Sequence, residues 1–301
     1  MGHHHHEHNH SVKNIRVAFF LNFSFTIIEI IGGLLTNSMA ILSDALHDLG
    51  DSLSLGISWY LQKKADGKGE DKNFTFGYKR FSLLGALINS IILIGGSLFI
   101  LTQAVPRLLD PEPVEAGGML ILAILGIAVN GMAVLRLQRG KSMNEKVVTW
   151  HLLEDVLGWV AVLVVSIVLL FKDLPILDPI LSITITVYVL YNVIRNLKKT
   201  LMIFLEAVPE DIDFTEVKKK IASLSGVVST HHTHLWSLDG EQNALSTHIV
   251  VEDSLSRAEV IAIKQQIQKF VDELNLQHLT IQVDYVDEVC CMDDQANKKL
   301  H

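Results

Sequence analysis

The sequence predicts an α-helical membrane protein with six transmembrane helices and a small C-terminal α+β domain in α-β-β-α-β order. Three observations predict it. Hydrophobic residues make up 49% of the 301 residues although 19% are charged, and the apolar share is concentrated before residue 200. Lys and Arg are abundant in every second connection between apolar runs and scarce in the others. After Lys199 the long apolar runs give way to short amphipathic and alternating segments.

Residues 1–14 hold six histidines, His3 to His6, His8 and His10, and read either as an expression tag or, since the run is broken by Glu7 and Asn9, as a native cytoplasmic tail that collects metal with low specificity. A bilayer core asks for about 20 mainly apolar residues per helix. Six runs meet that length: Ile15–Leu35, Ser38–Leu61, Phe81–Val105, Gly117–Leu135, Val147–Phe171 and Pro175–Ile194, within a transmembrane domain over 15–200. The third carries no charge. The second is the weakest by hydropathy because it holds Asp44, His47, Asp48 and Asp51. Thr36-Asn37-Ser38 leaves room only for a tight reversal before it. Lys63, Lys64, Lys68, Lys72, Lys79 and Arg80 fill one connection; Arg136, Arg139, Lys141 and Lys146 fill another. Lys13 precedes the first run and Arg16 stands at its very start, and Arg195, Lys198 and Lys199 follow the last. The opposite connections carry only Arg107 and Lys172 among Asp110, Glu112, Glu115, Asp173 and Asp178. The excess of Lys and Arg marks the cytoplasmic side, so both termini are expected there.

The second domain, 205–288, starts with an amphipathic helix, Phe214–Leu224. Strands Val227–Ser237 and Ala244–Glu252, a helix Arg257–Leu274 and a strand His278–Val286 follow, as a small sheet with two helices on one face. A tail, 289–301, carries the two cysteines, Cys290 and Cys291. Adjacent cysteines give no disulfide framework and point to a reducing compartment. The N-terminus has no signal-peptide pattern. A net charge of −8 argues against nucleic acid as a partner.

The chemistry concentrates in His47-Asp48-Leu49-Gly50-Asp51 and His151-Leu152-Leu153-Glu154-Asp155. Each is an H-x-x-x-D inside an apolar run, and residues four apart share a helix face. His47, Asp51, His151 and Asp155 would supply two nitrogens and two carboxylates, a tetrahedral set for Zn²⁺ at ~2.0–2.2 Å. Ionisable groups inside a membrane are costly and signal function by default. Protons compete with metal for the same imidazoles and carboxylates. Asp44, on the same helix, is either a relay acid or a solvated mouth residue. Asp48 and Glu154 are offset from their motifs and read as helix contacts. Asn22, Glu29, Asn89 and Asn130 either line an aqueous path or bond between helices, the latter favoured for the asparagines.

These residues resemble the cation diffusion facilitator family. The resemblance rests on Ser43-Asp44-Ala45-Leu46-His47-x-x-x-Asp51 in the second span, His151-x-x-x-Asp155 in the fifth, and His232-Thr-His234-Leu-Trp236 and Leu279-Thr-Ile-Gln282-Val-Asp284 in the soluble domain. It implies a homodimer in the lipid bilayer that exports Zn²⁺ in exchange for H⁺, with Cd²⁺ and Co²⁺ as further substrates. It also implies a ferredoxin-like cytoplasmic domain that dimerises and binds regulatory zinc. His232, His248, His278 and Asp284 match the positions used for that metal, and Cys290 and Cys291 resemble C-terminal cysteine pairs of zinc exporters. Where some relatives have histidine just before the acid, this chain has Gln282. The Lys63–Arg80 loop has no histidine, so the extra loop site of some members is not expected. By strand alternation His232 and His234 share one face and His231 points to the other. A bacterial inner membrane is expected, because the chain is compact and lacks a long His-rich loop between spans four and five. An enzyme is not expected: four strong ligands leave no open metal position, and there is no H-E-x-x-H. The alternative is a membrane metal sensor that signals through its cytoplasmic domain.

Overall fold

The computed structural model describes residues 5–65, 72–78, 80–137, 143–274 and 276–288; within these the side chains of 5–18, 55, 58, 59, 61–65, 136, 137 and 143–151 are not described. The chain divides into two compact units, Met1–Lys198 and Lys199–His301.

The first unit is helical: α1 (His5–Thr36), α2 (Met39–Ala65), α3 (Phe81–Ala104), the short α4 (Pro106–Leu109), α5 (Ala116–Leu137), α6 (Met143–Phe171) and most of α7 (Leu177–Phe204). Five stretches are long and apolar enough to cross a membrane among the described residues, in α1, α3 with α4, α5, α6 and α7. α2 is not one of them. Its 27 residues match the others in length, but Asp44, His47, Asp48 and Asp51 reduce its apolarity. Helix α1 starts at His5, ten residues before the apolar run that predicts it, so part of the His-rich stretch is helical. Large apolar side chains face outward along these helices, including Leu21, Ile91, Phe99 and Ile121, as a lipid-facing surface requires.

Inside, Trp159 of α6 is fully buried with Phe25, Ile41, Met119, Ala123 and Val162. Its indole lies against Gly126 of α5, so closely that a Cβ there would have no room. That glycine brings α5 and α6 together along much of their length.

Polar contacts fix α2. Asn37 turns the chain between α1 and α2 in the left-handed region, at φ 53°. Arg107 donates to its carbonyl at 3.0 Å and to its Oδ1 at 2.8 Å, and pairs with Glu112 at 2.7 Å. Asp178 of α7 accepts hydrogen bonds from Ser38 Oγ at 2.6 Å, Met39 N at 2.7 Å and Ala40 N at 3.2 Å. One turn further on, Ser43 Oγ lies 2.7 Å from Ser182 Oγ and 3.0 Å from Thr186 Oγ1, both on α7.

The second unit continues with α8 (Phe214–Ala222), β1 (Val227–Ser237), β2 (Asn243–Val251), α9 (Arg257–Glu273) and β3 (Leu276–Tyr285). The sheet order is β1-β2-β3, with β1 and β2 antiparallel and β2 and β3 parallel. α9 is the crossover that a parallel pair requires. Leu235, Leu245, Ile249 and Val251 turn one sheet face toward Val217 and Ile221 of α8 and Ile263, Ile267 and Val271 of α9. Alternation sends His248 and Val250 to the opposite face.

Candidate metal sites

In the helical unit, α2 and α6 carry the candidate ligands. His47 Nε2 lies 3.8 Å from Asp51 Oδ2, one turn along α2, and 3.9 Å from Asp155 Oδ1 on α6. Asp155 is buried, while His47 and Asp51 are partly open, at 25% and 29% of full side-chain exposure. One imidazole thus stands between two carboxylates from two helices. His151 falls on α6 one turn before Asp155; its side chain lies outside the described residues.

Further carboxylates stand nearby. Glu29, Asp44 and Asp48 are all buried and within electrostatic reach of Asp155. Asp44 faces α6, where a Cβ on Gly158 would sit 3.5 Å from its Oδ1. Asn22 on α1 donates to the Asp48 carbonyl at 3.1 Å and to Ser52 Oγ at 3.0 Å, and Asn89 on α3 donates to Ser54 Oγ at 2.7 Å. These two asparagines bond between helices. Asn130 is buried, and its amide nitrogen has no hydrogen-bond partner among the described residues. Glu154 points away from the motif and accepts from Tyr188 of α7 at 3.1 Å.

The cytoplasmic cluster differs from the one expected. Among the described residues, His231, His248 and Asp284 form the one group of three whose ligand atoms all lie within 4.8 Å of one another. Asp284 Oδ2 is 3.1 Å from His248 Nδ1 and 3.2 Å from His231 Nε2. Gln282 donates to Asp284 Oδ1 at 2.9 Å, which makes it an orienting neighbour of the acid. The buried Nε2 of His231 makes no hydrogen bond of acceptable angle among the described residues, and its approach to the carboxylate suits a shared cation. Partial burial pushes the Asp284 carboxyl up, but the hydrogen bonds from Gln282 and His248 and the charges of His248 and His231 outweigh it and hold it below its ordinary range.

His231 takes the place assigned above to His232, and the reason is a β-bulge. His231 pairs with His248, yet His234 pairs with Ser246, so His232 and Thr233 together oppose Thr247. The extra residue inverts the alternation between His231 and His234. His232 absorbs the bulge at φ 44°, and its ring centroid is 5.4 Å from that of His248 and 5.5 Å from that of His231. It borders the cluster as a fourth imidazole-or-carboxylate group.

His278 is not brought to this cluster. It pairs with Ala244, four residues along β2 from His248, a separation of roughly 13 Å at strand rise. Cys290 and Cys291 lie outside the described residues. Both clusters are built from His and carboxylate with no thiolate among the described members, a donor set that suits Zn²⁺ and related divalent cations.

Comparisons with known proteins agree with this architecture. Residues 15–205 match the cation efflux transmembrane domain, and residues 209–286 match the cytoplasmic domain of cation efflux proteins. A cadmium, cobalt and zinc/H⁺-K⁺ antiporter of Bacillus velezensis is 33% identical over 309 aligned positions, covering 98% of each chain. The metal cation efflux system protein CzcD of Cupriavidus metallidurans is 34% identical, covering 92% of this chain and 89% of its own. The zinc transporter ZitB of Pectobacterium atrosepticum is 32% identical, covering 99% and 94%. The solved metal-bound C-terminal domain of the Cupriavidus CzcD transporter is 32% identical over 24% of this chain and 99% of its own, with a TM-score of 0.22. With both domains matched in order and the apolar helices in place, the chain is a multi-pass membrane protein that belongs to the cation efflux, or cation diffusion facilitator, family.

Proposed function

We propose that the protein exports divalent cations, Zn²⁺ first and Cd²⁺ and Co²⁺ with it, from the cytoplasm in exchange for protons. The observation that carries this reading is His47 standing between Asp51 and Asp155, on two helices that pack inside an apolar bundle. Relatives named as antiporters and zinc transporters support it. The metal held there is cargo, with His151 as the fourth ligand. The exchange follows from occupancy. Without metal, two carboxylates in a partly dry site need neutralising, and protons on carboxylate and imidazole supply that. Metal and protons then exclude one another, and transport needs only that the inward and outward states differ in their affinity for each.

In this reading α2 completes six spans, both termini are cytoplasmic, the membrane is a bacterial inner membrane, and two copies assemble through the cytoplasmic domain. The His231, His248 and Asp284 cluster holds regulatory zinc. The protein is not an enzyme, since a filled four-ligand site leaves no position for an activated water.

The test is Zn²⁺ flux in proteoliposomes under an imposed pH gradient. Wild-type protein should move Zn²⁺ against the proton flow, and Asp51→Ala should stop it while eluting as wild type on size exclusion. Flux that survives Asp51→Ala removes the site. Well-folded wild-type protein that binds Zn²⁺ through the cytoplasmic cluster but moves none is the outcome a metal sensor requires.

A further inference from the structure

α2 carries His47 and Asp51, and the hydrogen bonds at its N-terminus come from another helix. An α-helix begins with amides that lack intrahelical acceptors, and a nearby residue ordinarily supplies an acceptor. Here Ser38 caps in that way only for Ile41, whose N–H donates to Ser38 Oγ at 3.2 Å. The Met39 and Ala40 amides donate instead to the carboxylate of Asp178, at 2.7 and 3.2 Å, across 139 and 138 residues of sequence. The same carboxylate accepts from Ser38 Oγ at 2.6 Å, and Arg107 is near enough to attract it. Asp178 is fully buried. It stands in the first turn of α7, where an acid would ordinarily complement its own helix dipole. Its oxygens serve α2.

We propose that Asp178 is a positioning residue for the cation site: by capping α2 from α7 it sets the height and rotation of His47 and Asp51 against Asp155. This rests on the transport-site reading above. α7 brings no ligand to that site, so Asp178 acts through α2. His47 lies eight residues beyond Met39 and Asp51 twelve, or ~12 and ~18 Å along a rigid helix. An axial slip of one residue at the cap therefore moves both ligands by ~1.5 Å. Metal ligation tolerates about 0.2 Å. The hydroxyl contacts of Ser43 with Ser182 and Thr186 lie one turn below the cap and hold the same two helices in the same register. Asp178 bonds Ser38, Met39 and Ala40 and none of the ligands, so its removal should lower metal affinity by displacing His47 and Asp51.

The experiment uses Co²⁺, whose visible bands report ligand geometry, bound to the full-length protein carrying His248→Ala, with the six histidines of residues 3–10 changed to Ala and Cys290 and Cys291 to Ser, so that the cytoplasmic cluster and both tails are silent. Asp178→Glu keeps the charge but lengthens the cap by one methylene. Asp178→Asn keeps the shape but weakens the acceptor, and Asp178→Ala removes it. All three should shift the Co²⁺ bands, with affinity falling least for Asn and most for Ala. In flux assays KM for Zn²⁺ should rise in the same order. If Asp178→Ala does not fold, the Glu and Asn variants decide. Wild-type bands and wild-type KM in folded Glu and Asn variants overturn the positioning role alone. Co²⁺ binding that Asp51→Ala leaves unchanged overturns the transport-site reading, and this proposal with it.

Discussion

At the residue scale, the two candidate sites differ in how far sequence spacing could place them. His47 and Asp51 are four apart on one helix, and helical geometry alone puts both on one face. Asp155 comes near them where α6 approaches α2 at a few residues, a meeting that spacing within one helix cannot place. The cytoplasmic site went the other way. Strand alternation gave His232 with His234, and one bulge between His231 and His234 replaced it with His231. A bulge depends on the register of the partner strand, so no pattern within β1 announces it, although three histidines within four positions signalled that one of them had a special place. A direct comparison follows: in full-length protein with Asp51→Ala, His231→Ala should weaken Zn²⁺ binding by calorimetry at least about tenfold. His232→Ala should weaken it less, and the reverse order would return the ligand to His232.

At the element scale, apolar run length set the membrane helices and polar punctuation set the rest. The β1 bounds expected from sequence match the strand observed, and α3 ends one residue short of its expected span. β3 starts two residues before His278, because Leu276 is buried and pairs with Asn243. The two cytoplasmic helices carry local caps. Asp213 accepts from Thr215 N at 2.8 Å and Glu216 N at 3.2 Å, and Ser256 with Glu259 forms a reciprocal capping box on α9. Asp213→Ala should cost about 1 kcal/mol in denaturant unfolding of the cytoplasmic domain. On α9, the side-chain and then the backbone hydrogen bond from Ser256 hold the Glu259 carboxyl below its ordinary 4.5. A carboxyl lowered on folding adds stability that is complete above about pH 4.5 and is lost as pH falls through the folded value. Wild type and Ser256→Ala should therefore differ most in melting midpoint near neutral pH and converge in acid. A gap that stays constant on acidification would show that Glu259 takes no part.

For the whole molecule, two measurements bear on topology and on metal. With Cys290 and Cys291 changed to Ser, Leu109→Cys and Asn73→Cys should label with a membrane-impermeant thiol reagent from opposite sides of the bilayer. Labelling from the same side would place α3 outside the membrane. Zn²⁺ at about 100 times its Kd should stabilise the cytoplasmic domain by about 2.7 kcal/mol, and a chelator or His248→Ala should remove that gain. Domain order, the long apolar helices and the helix-face pairing of His47 with Asp51 were legible in the sequence, because bilayer thickness and helical period act on neighbouring positions. Only the tertiary structure decided that His231 faces His248, that His278 sits far along the sheet, and that a carboxylate on α7 caps α2. Those depend on register between strands and on contacts across 138 residues or more, which no local pattern encodes.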